Sequence, residues 1–142
     1  IELMNTKKTI ISFLIFGILC FFIIYKIYNR PHINIVESKA DIALTANKII
    51  YDFSSDETKA NRSYLDKIIK ISGIISELKL EKEKGIITLK TNQDFGSILC
   101  HLSVKASQKM NLLKVGQTIT LKGVCTGYLM DVILIKSEIV NE

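Results

Sequence analysis

The stretch Thr9–Tyr25, TIISFLIFGILCFFIIY, contains no charged residue. This run constrains the chain more than any other feature. A helix that is apolar all round needs a large core on every side or an apolar solvent. A chain of 142 residues has room for one ordinary domain and an appendage, so the run belongs to the appendage. Counted on to Tyr28, with Lys26 snorkelling, residues 9–28 reach about 20 residues, one bilayer span. Tyr25 and Tyr28 suit an interfacial belt, and the lipid bilayer is the expected partner of this segment. A cleaved signal peptide would need a shorter apolar core and a small-residue cleavage site, neither of which is visible. A lipoprotein would need a small residue before its cysteine, whereas Leu19 precedes Cys20 and the apolar run continues past it. An uncleaved signal anchor fits best. Met4 opens the short basic leader MNTKK and reads as a start, with Ile1–Leu3 as an upstream extension. Lys7 and Lys8 precede the span, while Lys26 and Arg30 follow it, so charge alone nearly balances. A short basic tail ahead of a first span is expected to stay in the cytoplasm, leaving the C-terminal domain outside.

The same residues explain the net charge of +5. Without residues 1–30 the chain keeps 15 basic and 13 acidic side chains, a net charge of +2. The remainder lacks the strong positive field of a phosphate-backbone binder.

Three segments follow: an anchor over 1–30, a linker with two short helices over 31–66, and a β domain over 67–142. Residues 31–44 read as linker. Thr45 can cap a helix that puts Ile49, Ile50 and Phe53 on one stripe. A second helix runs from Asp56 to Leu65, with Ala60, Tyr64 and Leu65 inward. Neither is long enough to stand alone, so both should pack on something larger. From Lys67 the period becomes two. KIIKISGIISEL is the first strand, and Gly73 within it suggests a bulge or bend. KLEKEKG is a charged turn. IITLKT and SILCHLS are strands two and three. VKASQKMNLL carries a helical stripe of Val104, Ala106, Met110 and Leu113. VGQTITLKGVC and DVILIKSEIV are strands four and five. A helix between strands three and four is the order of an OB-fold, a five-stranded Greek-key barrel. The fold class is α+β, mainly β, and a split sandwich is the rival.

The chain resembles the OB-fold family called tRNA_anti-like, and within it the membrane-anchored members of Bacteroidetes-type bacteria. The residues that carry the resemblance are YNRPH, ADIALTANKIIYDF, ANRSYLDKIIKISGII and, most specifically, GQTITLKGVCTGYLMDVIL. The resemblance implies a barrel preceded by helices and a membrane anchor; together with the orientation read from the basic tail, the expected place is the bacterial inner membrane, with the domain periplasmic. The resemblance implies little about activity. A further cysteine is common in strand five of the family, where this chain has Ser137.

No chemistry-bearing constellation appears. Cys20 lies in the apolar run. Cys100 and Cys125 fall in strands three and four, where they are either two buried thiols or, in an oxidising compartment, a disulfide. Without a C-x-x-C pair, and with only His32 and His101, neither a metal site nor a cofactor is expected. Nucleophile motifs and glycine-rich phosphate loops are missing from the sequence, so no enzyme is expected.

OB-folds bind ligands with strands two and three and with the loops joining strands one to two and four to five. Those loops bring forward Lys79, Lys82 and Lys84, and Tyr128, Leu129, Met130 and Asp131. For the second set, a contact surface and a tip folded back on the barrel are both open. The expected function is a non-enzymatic envelope binding module for a peptide, glycan or envelope protein. Single-stranded nucleic-acid or tRNA-like binding is the alternative. It would use stacking aromatics, of which the β domain has only Phe95 and Tyr128.

Overall fold

The computed structural model describes residues 2–29, 34–94 and 96–140. Arg30, His32 and Phe95, named above, lie outside the described residues. Two compact units result, Ile1–Ile33 and Asn34–Glu142.

In the first unit, Glu2–Tyr28 form one helix, α1. Asn5–Tyr28 is long and apolar enough to cross a membrane. Phe13, Phe16, Phe21 and Phe22 are all exposed on it, as lipid-facing side chains would be.

The second unit is a closed barrel with helices before it. Its elements are β1 (Ile42–Thr45), α2 (Ala46–Ser55), α3 (Glu57–Tyr64), β2 (Ile68–Glu81), β3 (Lys84–Lys90), β4 (Ile98–Leu102), α4 (Val104–Ser107), β5 (Thr118–Leu129) and β6 (Asp131–Ile139). Strands β2 to β6 are the five expected from the sequence. Antiparallel β2–β5 and parallel β4–β6 pairing closes them into a barrel, which removes the split sandwich. Ile69, Ile71, Ile87, Leu89, Ile98, Leu121 and Leu134 are fully buried inside. Each such side chain stabilises the fold by about 1.5–3 kcal/mol.

Both expected helices form, and both are capped as their sequences suggest. Thr45 Oγ1 accepts from Lys48 N, and Asp56 Oδ1 accepts from Lys59 N. Ile49, Ile50, Phe53, Ala60 and Tyr64 join the barrel core.

Three local expectations change. The linker contains β1, which pairs parallel to β2 from Ile42↔Ile69 to Thr45↔Ser72. The irregularity in β2 lies between Ile75 and Glu77, not at Gly73. Gly73 instead admits α2, since a Cβ there would lie 3.1 Å from the Ala46 Cβ. The helix between strands three and four is one turn followed by a 3-10 turn at Met110–Leu112. Ala106 is buried, and Met110 and Leu113 pack on the core, but Val104 is exposed. Ser103 caps the start of this turn, its Oγ accepting from Ala106 N, and at the other end Ser107 Oγ donates back to Ser103 O and accepts from Gly85 N.

Candidate ligand-binding site

The β5–β6 hairpin is tighter than the sequence suggests. β5 runs to Leu129, β6 starts at Asp131, and Met130 turns between them with φ 67°. Leu129 and Met130 project into solvent, 81% and 69% exposed. Tyr128 does not. Its ring stacks on Phe53 of α2, with centroids 5.5 Å apart and planes at 22°. Asp131 is also engaged: its Oδ1 accepts from Ser97 N at 2.7 Å and from Ser97 Oγ at 2.9 Å. It fastens the hairpin to the start of β4.

The β2–β3 connection is likewise short. Lys82 and Glu83 have φ 46° and 67°, a two-residue turn of the kind that suits hairpin twist. Lys79 and Lys84 therefore stand on strands, not in a loop. Lys79 Nζ pairs with Glu81 Oε1 at 2.8 Å, and this partner holds the Glu81 carboxyl below its ordinary range.

A cleft of about 400 Å³ lies between α3 and the β5–β6 hairpin. Glu57, Asn61 and Leu65 form one wall, and Thr126, Tyr128, Leu129 and Ile133 the other. Ile133 extends the cleft onto the barrel. It pairs with Gly127 on one side and Leu99 on the other, and Leu99 pairs with Thr88. Residues paired across neighbouring strands share a face. Ile133, Leu99 and Thr88, all half-buried, therefore form a row across the outer face of β6, β4 and β3. Ile86 and His101 form the next row, which ends at Lys79.

The structure thus joins the hairpin residues Tyr128 and Leu129 to the strand face. It leaves Lys79, Lys82 and Lys84 at the opposite end of that face. Leu65, Asn61, Ile133 and Leu99 were not singled out from sequence as ligand contacts. Leu65 reads there as an inward helical position; it follows the last turn of α3 and is 39% exposed.

Cys100 and Cys125 are both fully buried free thiols. Leu134 pairs with Cys100 on one side and Cys125 on the other, so the two lie two strand spacings apart, about 9–10 Å. Bridging tolerates about 7 Å between Cα atoms, so the disulfide allowed by the sequence does not form in this barrel. Burial pushes both thiols to higher pKa. Among the described residues no three His, Cys, Asp or Glu side chains cluster as metal ligands.

The tRNA_anti-like family signature matches residues 4–139. The chain belongs to the tRNA_anti-like family. Among solved structures, this tRNA_anti-like chain is similar to a Klebsiella pneumoniae lipoprotein described as a candidate nucleic acid-binding protein. The TM-score is 0.60 at 18% identity, covering 79% of this chain and 100% of that one. It is also similar to a Leishmania major protein assigned as an aspartyl-tRNA synthetase. There the TM-score is 0.50 at 12% identity, over 80% of this chain and 23% of that one. At such identities the likeness shows the OB-fold alone. Comparison with curated proteins returns no match.

Proposed function

We propose that the chain is a membrane-anchored, non-enzymatic binding module of the bacterial envelope. Its barrel unit holds an apolar polypeptide segment in the cleft between α3 and the β5–β6 hairpin. The observation that carries this reading is the continuity of the cleft, through Ile133, with the outer strand face on which OB-folds bind ligands. Leu65, Leu129 and Ile133 offer apolar contacts, while Asn61, Glu57 and Thr126 offer hydrogen bonds along the rim. The apolar α1 supports the anchor, and the basic leader with Lys7 and Lys8 supports a periplasmic barrel.

Single-stranded nucleic acid is the second reading, favoured by Lys82 and Lys84 at one end of the strand face and Lys90 at the other. It ranks lower because the aromatic ring of Tyr128 is already stacked on Phe53.

The test uses the full chain in nanodiscs, titrated with labelled apolar peptides and with single-stranded DNA and RNA across a salt series. Peptide binding that is insensitive to salt and lost in Leu65→Ser/Leu129→Ser supports the first reading. Oligonucleotide binding that weakens with salt, with no peptide bound, overturns it. A cysteine placed at exposed Leu129 reports the side of the membrane through an impermeant thiol reagent, since Cys100 and Cys125 are buried.

A further inference from the structure

Between Asp94 and Asp131 the sequence has no carboxylate and four lysines, Lys105, Lys109, Lys114 and Lys122. The first three are exposed on α4 and the turns after it. Among the described residues none of these three ammonium groups meets a carboxylate within 4 Å. Beside them in the chain stand Val104, Leu112 and Val115, 56%, 75% and 63% exposed. Apolar side chains this exposed gain nothing from water. Interleaved with unpaired lysines, they match the chemistry of an anionic lipid surface, where apolar groups enter the headgroup layer and cations meet phosphates.

The chain enters the barrel unit on this same side. Ile35 is buried, and Lys122 Nζ donates to Val36 O at 3.1 Å and Ser38 O at 2.8 Å. Val36 lines a hollow of about 310 Å³ together with Lys105, Lys109 and Lys122, and Glu138 is the one carboxylate there.

We infer that the α4 side of the barrel is a lipid-docking surface for anionic headgroups, with Leu112 and Val115 as its apolar contacts. It rests on the membrane-anchor part of the proposed function and is independent of what the cleft binds. Docking of this side would hold the barrel unit on the bilayer in one orientation. The α3 cleft would then face a fixed direction.

The test uses the full chain in nanodiscs. The sequence has no tryptophan, so Leu112→Trp supplies a single fluorophore at an already exposed position. Leu80→Trp, on the β2–β3 hairpin, is the control. In discs with one-third phosphatidylglycerol the Leu112→Trp emission should shift to the blue and be quenched by brominated acyl chains. The control should stay water-like. Each lysine changed to Gln among Lys105, Lys109 and Lys114 should lower the ratio of docked to free barrel about fivefold. Emission identical in zwitterionic and anionic discs overturns the inference. So does equal quenching of both reporters, or no response to the lysine changes. Single-stranded DNA that binds through the same lysines and abolishes the shift reassigns the surface to nucleic acid. A chain that does not co-elute with discs at all overturns the anchor first, and the docking surface with it.

Discussion

The ring of Tyr128 lies over that of Phe53, centroids 5.5 Å apart, and so joins the last turn of β5 to α2. An aromatic at an OB hairpin is an obvious ligand contact, but here its face is used within the fold. Tyr64 approaches the same Phe53 ring from α3, at 5.9 Å and 45°. Two consecutive helices and a strand distant in sequence therefore share one aromatic cluster. Tyr128→Ala should cost about 2 kcal/mol, from lost burial and a lost aromatic pair. Tyr128→Phe should stay within about 0.5 kcal/mol, because it keeps the ring. Denaturant midpoints of the two variants decide this. Equal losses would assign the hydroxyl a role the stacking account lacks.

The two barrel thiols yield a second prediction. Cys100 and Cys125 are buried, and burial disfavours their thiolates. A thiol reagent added to native protein in nanodiscs should leave both unmodified, and denaturant should release them together. Non-reducing mass spectrometry of periplasmically expressed protein should show no mass loss from a Cys100–Cys125 bridge. A bridged species would mean that β4, β6 and β5 do not lie in the observed register.

Much of this architecture could be read along the chain, because it is written in local patterns. Alternating Ile69, Ile71 and Ile119, Leu121 mark strands, while Thr45 and Asp56 mark helix starts. What escaped depends on partners far away. The short β1 has meaning only against Ile69–Ser72 of β2. The α4 stripe looked like a full helix, yet it makes one turn, Val104–Ser107, where the Ser107 hydroxyl bonds Ser103 O and the distant Gly85 N. The candidate cleft needs Leu65 and Ile133 to face each other, and no spacing in the sequence brings them together. At the hairpin tip the sequence left exposed and folded-back positions both open; only the partner Phe53 separates Tyr128, which turns inward, from Leu129 and Met130, which stand in solvent.

A third prediction concerns pH. Burial raises the pKa of Asp52, but hydrogen bonds from Lys48 and Tyr64 outweigh it, and the carboxyl ends below its ordinary 3.8. Tyr64, desolvated and donating to Asp52 Oδ2, is pushed up to about 12. A depressed acid stabilises the fold above its unfolded pKa and loses that contribution as pH falls through the folded one. A raised phenol stabilises below its unfolded value of 10.0 and loses that contribution as pH rises towards about 12. The pair therefore contributes fully between these limits. Tyr64→Phe should cost about 1.5 kcal/mol at neutral pH and flatten the alkaline limb of a stability–pH curve. Asp52→Asn should flatten the acid limb. Lys48→Ala should cost under about 0.5 kcal/mol, since its side chain is 56% exposed. Unchanged limbs in both Tyr64→Phe and Asp52→Asn would remove this pair as their source.

The last prediction couples β5 to β6. The register shifts between Lys122 and Val124, so Gly123 sits against the bulge that carries Lys136, φ 50°, and Ser137. A Cβ on Gly123 would lie 2.5 Å from Ser137 Oγ and 3.1 Å from Ile135 O. Ser137 is fully buried, and its hydroxyl has no hydrogen-bond partner among the described residues. An unsatisfied buried hydroxyl is a liability, so Ser137→Ala should stabilise the barrel by about 1 kcal/mol. Gly123→Ala alone should cost about 2 kcal/mol through overpacking. In the Ser137→Ala background the same change meets only the backbone, and its cost should fall by about 1 kcal/mol. A double-mutant cycle read from denaturant midpoints measures this coupling. A strictly additive cycle would mean that Ser137 Oγ is not what keeps position 123 a glycine. A destabilising Ser137→Ala would mean that the hydroxyl has a buried water as its partner.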